Sequence, residues 1–175
     1  PEVAEAVRTR LREDRVILEG EAMAYDPDTR DFLPFQVTVS RRRKHNIAQM
    51  ADEVPLTLLA FDLLCASGED LTGLSYVERR ERLLALIDPN EAIGVTPSLV
   101  TEDPREIDTY FSSEVEAGLE GILAKRLDAS YQAGKRNFNW IKLKRSYRVE
   151  LSDTLDCAVV GYWRGQGKRA AWGIG

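Results

Sequence analysis

The run PLTLLAFDLL, residues 55–64, limits the possible folds more strongly than any other segment. It is almost wholly apolar, yet it is much shorter than the roughly 20 residues that a membrane-spanning helix needs. The turn signal SGED, residues 67–70, follows closely. A short apolar run with such a boundary is typical of a strand that is buried on both faces. The sequence therefore predicts one fully buried strand at this point.

Other patterns predict the remaining elements. Alternation over residues 16–25 predicts a strand that places Glu19 and Glu21 on the same face. Asp103 and Pro104 are a suitable cap and first residue for a helix. The periodicity of apolar residues predicts helices at 2–14, 44–52, 76–87 and 104–118, and strands at 16–25, 32–40, 55–64, 92–100, 121–126 and 139–145.

The length of 175 residues suits one domain, or one domain and part of another. Cys65 and Cys157 are far apart in apolar runs, which favours buried thiols in a reducing, intracellular compartment. The charged segment 1–14 does not resemble a signal peptide. A single histidine excludes a metal cluster of the Cys/His type.

The charge is concentrated in a few segments. The formal net charge is -5, but the segment 120–148 contains eight Lys or Arg and only two acids. Two further basic runs lie at 41–44 and 164–169. Each run alone fits a solvated surface, whereas three runs in an acidic chain indicate an anionic partner such as phosphate or nucleic acid.

The most informative basic run is WIKLK, residues 140–144. On a strand, Trp140, Lys142 and Lys144 share one face. Two ammonium groups about 7 Å apart repel each other unless an anion lies between them. The pattern fits a phosphate clamp, and it equally fits an edge strand protected by lysines.

Carboxylates and one aromatic residue complete the candidate set. Charged residues in the middle of a strand, such as Glu19 and Glu21, need water, a cation or a basic partner. Carboxylates near bound phosphate are suited to a sugar hydroxyl or Mg²⁺. Glu120 alone reads as a surface residue, and Phe61 alone reads as a core residue.

Taken in order, these segments resemble the ATP-dependent DNA ligases, particularly the archaeal and eukaryotic replicative type. The matching motifs cover residues 17–170 and are ILEGEAMAYD, LPFQVTVSRRRK, LLAFDLL with SGEDLT, EGILAK, YQAGKRNFNW, WIKLKRSY and DTLDCAVVGYWRGQGKRA.

The resemblance implies an α+β fold. Residues 1–148 are expected to form most of a nucleotidyltransferase (adenylation) domain, with mixed and antiparallel sheets and flanking helices. Residues 149–175 are expected to begin an OB-fold β-barrel. The expected protein is an intracellular monomer.

The resemblance also implies roles for individual residues. Phe61 would stack on adenine, Glu21 would contact the ribose or a metal, and Glu120 would help to hold Mg²⁺. The residues expected to contact the nucleotide and its phosphates are Arg136, Lys142 and Lys144. The residues expected to face the DNA backbone are Arg41, Arg42, Arg43, Lys44, Lys168 and Arg169.

The implied activity is the sealing of nicks in duplex DNA, with ATP and Mg²⁺ as cofactors and a sliding clamp as a candidate partner. AMP passes from ATP to a lysine, then to the 5′-phosphate of the nick, and it leaves when the 3′-hydroxyl attacks. All three steps are displacements at phosphorus, which need positioning and charge neutralisation. Such a reaction explains why cations gather in one segment of an acidic chain.

The family's nucleophilic lysine lies in a Lys-x-Asp-Gly motif, and none of the six lysines here is followed by x-Asp-Gly. We therefore expect no catalytic nucleophile in this chain, and no self-adenylation by the 175 residues alone. Three alternatives remain open: an RNA ligase or mRNA capping enzyme, a non-catalytic nucleic-acid-binding module, and an NAD-dependent ligase.

Overall fold

The computed structural model describes residues 2–41, 47–134 and 137–145, which form five helices and six strands. The helices are α1 Glu2–Arg10, α2 Phe35–Ser40, α3 Ile47–Glu53, α4 Tyr76–Leu86 and α5 Pro104–Glu116. The strands are β1 Val16–Ala24, β2 Leu56–Ala66, β3 Glu69–Asp70, β4 Ile93–Val95, β5 Gly121–Lys125 and β6 Trp140–Lys144. No helix within these ranges is long and apolar enough to cross a membrane.

Strand β2 is the centre of a four-stranded mixed sheet. Strand β1 pairs with β2 in antiparallel fashion over its whole length, while β4 runs parallel to the first half of β2 and β3 forms a hairpin with its end. The apolar run does form a strand, and no residue of β2 is exposed, but only five of its eleven residues are buried and six are half-buried, so the predicted burial on both faces is only partly met. The core formed against this sheet comprises Ala6, Ala60, Leu63, Ala66, Leu71, Leu83, Leu86, Ile87 and Ile93.

Local signals define the two longest helices. The Ser75 hydroxyl caps α4, and the Glu78 carboxylate accepts from the Ser75 backbone N–H, which completes a capping box. The Asp103 carboxylate accepts from the backbone N–H of Arg105 and caps α5, as the sequence predicts. Caps of this kind stabilise a helix by about 1 kcal/mol.

Residues 32–40 correct the sequence prediction, because the predicted second strand is largely helix α2. Pro34 occupies the residue before the helix, where a missing N–H costs nothing. The Thr38 hydroxyl accepts from the backbone N–H of Ala24 at the end of β1. This tertiary contact outweighs the strand propensity of Val37, Thr38 and Val39.

Strands β5 and β6 form a separate two-stranded antiparallel sheet. Lys125 is opposite Trp140, Leu123 is opposite Lys142, and Gly121 is opposite Lys144. Trp140, Lys142 and Lys144 therefore share one face, as predicted, and this face is roughly 14 Å long at about 3.4 Å per residue. The predicted boundary at residue 148 and the predicted OB-fold segment 149–175 lie outside the described residues.

Candidate active site

Phe61 lies at an irregularity in the pairing of β1 with β2. Glu19 is opposite Asp62 and Gly20 is opposite Ala60, so the register leaves Phe61 without a partner on β1. An extra residue of this kind bends a strand and re-aims its side chains. Asp62 is fully buried, while Phe61 is half-buried and its ring meets a residue from another sheet. Phe61 is thus not an ordinary core residue.

Asp62 forms a buried ion pair with Arg79 of α4. The guanidinium contacts both carboxylate oxygens, at 2.8 Å from Nε and 3.1 Å from Nη2, and both side chains are fully buried. The remaining guanidinium nitrogen, Nη1, donates to the carbonyls of Leu74 and Ala129. Because a buried charge is costly unless it is paired and hydrogen-bonded, these contacts are what allow Arg79 to lie inside.

Lys125, the last residue of β5, places its ammonium inside a cluster of aromatic rings. Its Nζ lies 4.3 Å from the ring centroid of Trp140, 4.5 Å from that of Tyr76 and 4.9 Å from that of Phe61. The same nitrogen donates to the carbonyl of Phe61 at 3.2 Å and lies 3.5 Å from Asp62 Oδ2. Burial lowers the pKa of the Lys125 ammonium, and the Asp62 carboxylate acts in the opposite direction.

A second contact joins Glu19 of β1 to Tyr131, which lies in the segment between β5 and β6. The Tyr131 hydroxyl donates to Glu19 Oε1 at 2.5 Å, and its ring lies edge-on to Trp140 with centroids 5.7 Å apart. The hydrogen bond to the Glu19 carboxylate raises the pKa of Tyr131 to about 12. Glu19 thus has a hydroxyl partner, where the sequence alone indicated water, a cation or a basic residue.

Glu120 and Lys144 meet at the other end of the β5–β6 face. Lys144 Nζ lies 2.9 Å from Glu120 Oε2, and the two side chains are 38% and 78% exposed. The hydrogen bond from Lys144, reinforced by its charge, lowers the pKa of Glu120. Lys142, between Lys144 and Trp140, is exposed and also acts electrostatically on Glu120. The two ammonium groups of Lys142 and Lys144 and the carboxylate of Glu120 therefore lie on one solvent-accessible surface.

Four of the predicted nucleotide and metal residues can thus be placed relative to one another. Phe61 meets one end of the β5–β6 face through Lys125, and Lys142, Lys144 and Glu120 occupy the rest of that face. Glu21 is exposed on β1, where it lies opposite Leu59 rather than on the β5–β6 face. Arg136 lies outside the described residues.

The predicted DNA-binding residues fall mostly outside the described ranges, where Arg42, Arg43, Lys44, Lys168 and Arg169 all lie. Arg41 lies within them, and its side chain is only 6% exposed and forms an ion pair with Glu2 of α1. This placement corrects the expectation for Arg41, because a shielded and already neutralised guanidinium is poorly suited to a DNA phosphate.

Metal and cavity geometry add two observations. In the described part of the chain, no group of three or more His, Cys, Asp or Glu residues is arranged to hold a metal ion. A depression of about 440 Å³ lies next to Ile17, Cys65 and Tyr131. Among the residues that the structure describes, none of those predicted to bind the nucleotide lines this depression. The β5–β6 face with Phe61 is the stronger candidate, since it combines an aromatic ring, exposed cations and a carboxylate.

Sequence reasoning missed the residues that hold this site together, namely Asp62, Tyr76, Arg79, Lys125 and Tyr131. A charged residue within an apolar run was the available signal for Asp62, whereas Lys125 follows a short apolar run and precedes Arg126, as an ordinary surface lysine would. The sequence offered no signal for Arg79, which lies among other charged residues in YVERRERLL.

An aromatic ring beside a strand face with two lysines and a carboxylate is compatible with a phosphate-containing ligand, and comparison with known proteins shows the family to which the chain belongs. Residues 1–144 match the family model described as "ATP dependent DNA ligase domain". The chain therefore belongs to the ATP-dependent DNA ligase family.

Individual relatives agree with this assignment. A "Probable DNA ligase" of Dictyoglomus turgidum is 54% identical over 175 residues, which is 100% of this chain and 30% of that protein. A "DNA ligase" of Pyrobaculum neutrophilum is 42% identical over 170 residues, 97% of this chain and 29% of that protein. The chain thus spans about 30% of the length of these curated relatives.

Solved structures show the same fold. A mycobacterial DNA ligase D complexed with ATP and MES aligns with a TM-score of 0.55 and 28% identity, covering 83% of this chain and 42% of that one. The ligase domain of M. tuberculosis LigD aligns with a TM-score of 0.52 and 30% identity, covering 74% of this chain and 38% of that one.

Proposed function

We propose that this chain supplies the adenylate-binding surface of an ATP-dependent DNA ligase that seals nicks in duplex DNA. The observation that carries the proposal is the β5–β6 face, which presents Lys142, Lys144 and Glu120 beyond the ring of Phe61. Adenine stacks on Phe61, because an aromatic face offers both apolar area and π-stacking to a purine. The α-phosphate lies against the ammonium groups further along the face.

Lys142 and Lys144 serve the phosphoryl transfers by neutralising charge. Negative charge is spread over the phosphoryl oxygens in the transition state, and preorganised donors stabilise it without reorganisation. Lys142 is exposed, while Lys144 is shared with Glu120. We assign the same kind of contact to Arg136, and contacts with the DNA backbone to Arg42, Arg43, Lys44, Lys168 and Arg169.

The donor set fits a magnesium ion that is bound mainly by the nucleotide. Mg²⁺ is usually held by one or two carboxylates together with substrate phosphates, and it keeps several waters. The carboxylate of Glu120 is 78% exposed and lies beside the phosphate-binding lysines, and Glu21 is exposed on β1. Glu120 would hold the ion beside the phosphates, where the ion supplies charge neutralisation at the phosphoryl oxygens, while Glu21 on the separate β1 surface is assigned to the ribose or to a metal near it.

The remaining features of the proposal concern the whole protein. They are an OB fold beginning within 149–175, a monomeric intracellular enzyme with replication and repair roles, and a sliding clamp as partner. The covalent nucleophile is not assigned to any lysine of this chain, since none lies in a Lys-x-Asp-Gly motif.

Adenylation and ligation assays test the proposal. A full-length ligase carrying this sequence should form a labelled enzyme–AMP adduct with α-³²P-ATP and Mg²⁺, and it should seal nicked DNA in preference to nicked RNA. The 175-residue chain should remain unlabelled under the same conditions. Preference for nicked RNA would favour an RNA ligase, and salt-sensitive DNA binding without nucleotide dependence would favour a non-catalytic module.

A further inference from the structure

The structure describes three lysines, and the proposed phosphate contacts use two of them, Lys142 and Lys144. The third, Lys125, has different surroundings. Its side chain is only 6% exposed, and its Nζ lies within 5 Å of the centroids of three aromatic rings. A cation at this depth cannot reach a solvent-exposed phosphate without leaving its cluster.

The contacts of Lys125 with Phe61 involve both parts of that residue. The ammonium lies 4.9 Å from the centroid of the Phe61 ring and donates to the Phe61 carbonyl at 3.2 Å. Phe61 has no partner on β1 at this point of the register, so regular sheet pairing does not determine its orientation. Lys125 is thus a cation that can orient both the ring and the backbone of the residue proposed to stack on adenine.

The surrounding charges keep Lys125 in place. Asp62 and Glu19 attract the ammonium electrostatically, and Arg79, which occupies both oxygens of Asp62, is the opposing cation. The two carboxylates of Asp62 and Glu19 balance the two cations of Lys125 and Arg79, so the cluster carries no net formal charge. A cluster of two acids and two bases is tolerated inside a protein because each charge has an opposite partner nearby.

Lys125 also joins Phe61 to the strand that carries the phosphate-binding lysines. Trp140 is the cross-strand partner of Lys125 and the first residue of β6, and its ring is the one nearest to the ammonium. Lys142 lies two residues further along the same face. Through Lys125, the position of the β2 aromatic ring is therefore coupled to the position of the β6 strand.

We propose that Lys125 is a positioning residue that fixes the Phe61 ring relative to Lys142, and thereby sets the affinity for the adenine nucleotide. This inference rests on the proposed function. Lys125 acts by holding the base-stacking ring at a fixed distance from the phosphate clamp, and it does not itself contact a phosphate.

The test is the kinetics of enzyme–AMP formation by a full-length ligase carrying Lys125→Met. We expect the KM for ATP to rise about tenfold, the size of effect of a desolvated cation–π contact. The rate at saturating ATP should change little, because a loss of ground-state binding raises KM and leaves kcat unaltered. Arg126→Met is the matched control, since Arg126 is the next residue, is exposed and pairs with the exposed Asp128.

A double substitution separates positioning from general destabilisation. In a Phe61→Ala background, Lys125→Met should raise KM by less than about twofold, because residues that act as a unit are not additive. Multiplicative effects of the two substitutions would overturn the inference. So would an unchanged KM with a lowered saturating rate, which is the signature of partial misfolding.

Charge-retaining variants complete the design. Lys125→Arg should stay within about threefold of the unsubstituted KM, because its cation also stacks on aromatic rings. If Lys125→Met does not fold, Lys125→Gln is compared with Lys125→Arg instead. A higher KM for ATP in the Gln variant supports the inference, and equal KM values overturn it. No enzyme–AMP from the unsubstituted ligase would overturn the proposed function as well, whereas an active ligase with unchanged KM in Lys125→Met overturns only the positioning role.

Discussion

Gly121 and Leu143 approach so closely that a Cβ atom on Gly121 would lie 2.0 Å from the carbonyl oxygen of Leu143. Gly121 also has a φ of +147°, a region that L-residues other than glycine rarely adopt. The glycine of the Glu-Gly pair is therefore a requirement of the β5–β6 pairing. It lets Glu120 and Lys144 meet at the open end of the hairpin.

Gly121→Ala should destabilise this hairpin by more than a positive φ alone explains. We expect a loss of about 3 kcal/mol or more, since backbone strain costs roughly 1–3 kcal/mol and the clash adds to it. Gly118→Ala is the control, because Gly118 has a φ of +91° and no described atom lies within 4 Å of the place that a methyl group would take. Urea unfolding of the two variants measures the difference, and equal losses would show that the contact with Leu143 is unimportant.

Asp62→Asn should destabilise the protein strongly by leaving the Arg79 and Lys125 charges without their carboxylate. Removing one partner of a buried pair costs about 3–5 kcal/mol. Asp128→Asn breaks the pair with Arg126, whose side chain is 64% exposed, and should cost less than about 1 kcal/mol. Thermal or urea unfolding distinguishes the two, and a small loss for Asp62→Asn would mean that water compensates the buried cations.

The Tyr131 hydroxyl should ionise at an unusually high pH. Its hydrogen bond to Glu19 raises the pKa to about 12 from the ordinary value of 10.0. Because the folded pKa is the higher one, the stabilisation is fully present below pH 10 and is lost as pH rises towards 12. NMR of ¹³C-labelled tyrosine should show the late titration, and Glu19→Gln should return it towards 10. A Tyr131 resonance that titrates at the same pH in both proteins would contradict the assignment of the hydrogen bond.

Lys142 and Lys44 should act at different steps if the proposed roles are right. Lys142→Ala should slow enzyme–AMP formation about 100-fold, the usual cost of removing one donor to a developing charge. Lys44→Ala should leave that step unchanged and weaken binding of nicked DNA in a salt-dependent way. Labelled adenylation and DNA-binding titrations measure the two steps, and equal impairment of both by either variant would contradict the division.

The helices show where local pattern suffices and where it fails. The starts of α4 and α5 follow from Ser75, Glu78 and Asp103, because capping groups act within a single turn. The buried face of α4 does not follow from its apolar residues. Of the apolar residues in the predicted helix 76–87, Leu83 and Ile87 are buried, but Val77 and Leu84 are 42% and 55% exposed while Arg79 is fully buried.

The site was predictable in its outline. The order of the motifs and the shared face of Trp140, Lys142 and Lys144 follow from the sequence, since alternation along a strand is a local property. The partners of Phe61, Glu19 and Lys125 did not follow, because each lies on another element. The core residues Ala60, Leu63 and Ala66 of β2 are three positions apart, whereas strict alternation would bury every second residue. The irregularities in the pairing with β1 account for this spacing, and the sequence did not reveal them.

Amino-acid order alone was enough to indicate the class of this protein, most of its main elements and the strand that carries the lysine clamp, because periodicity, capping and the individual motifs depend on residues close together in the chain. Three features needed the packing of distant segments: the helical state of residues 35–40, the departure of Phe61 from the regular register, and the burial of Arg79 and Lys125 around Asp62. The contacts between Asp62 and Arg79 and between Phe61 and Lys125 join residues 17 and 64 positions apart. The free energy of such contacts depends on burial, which no local pattern specifies.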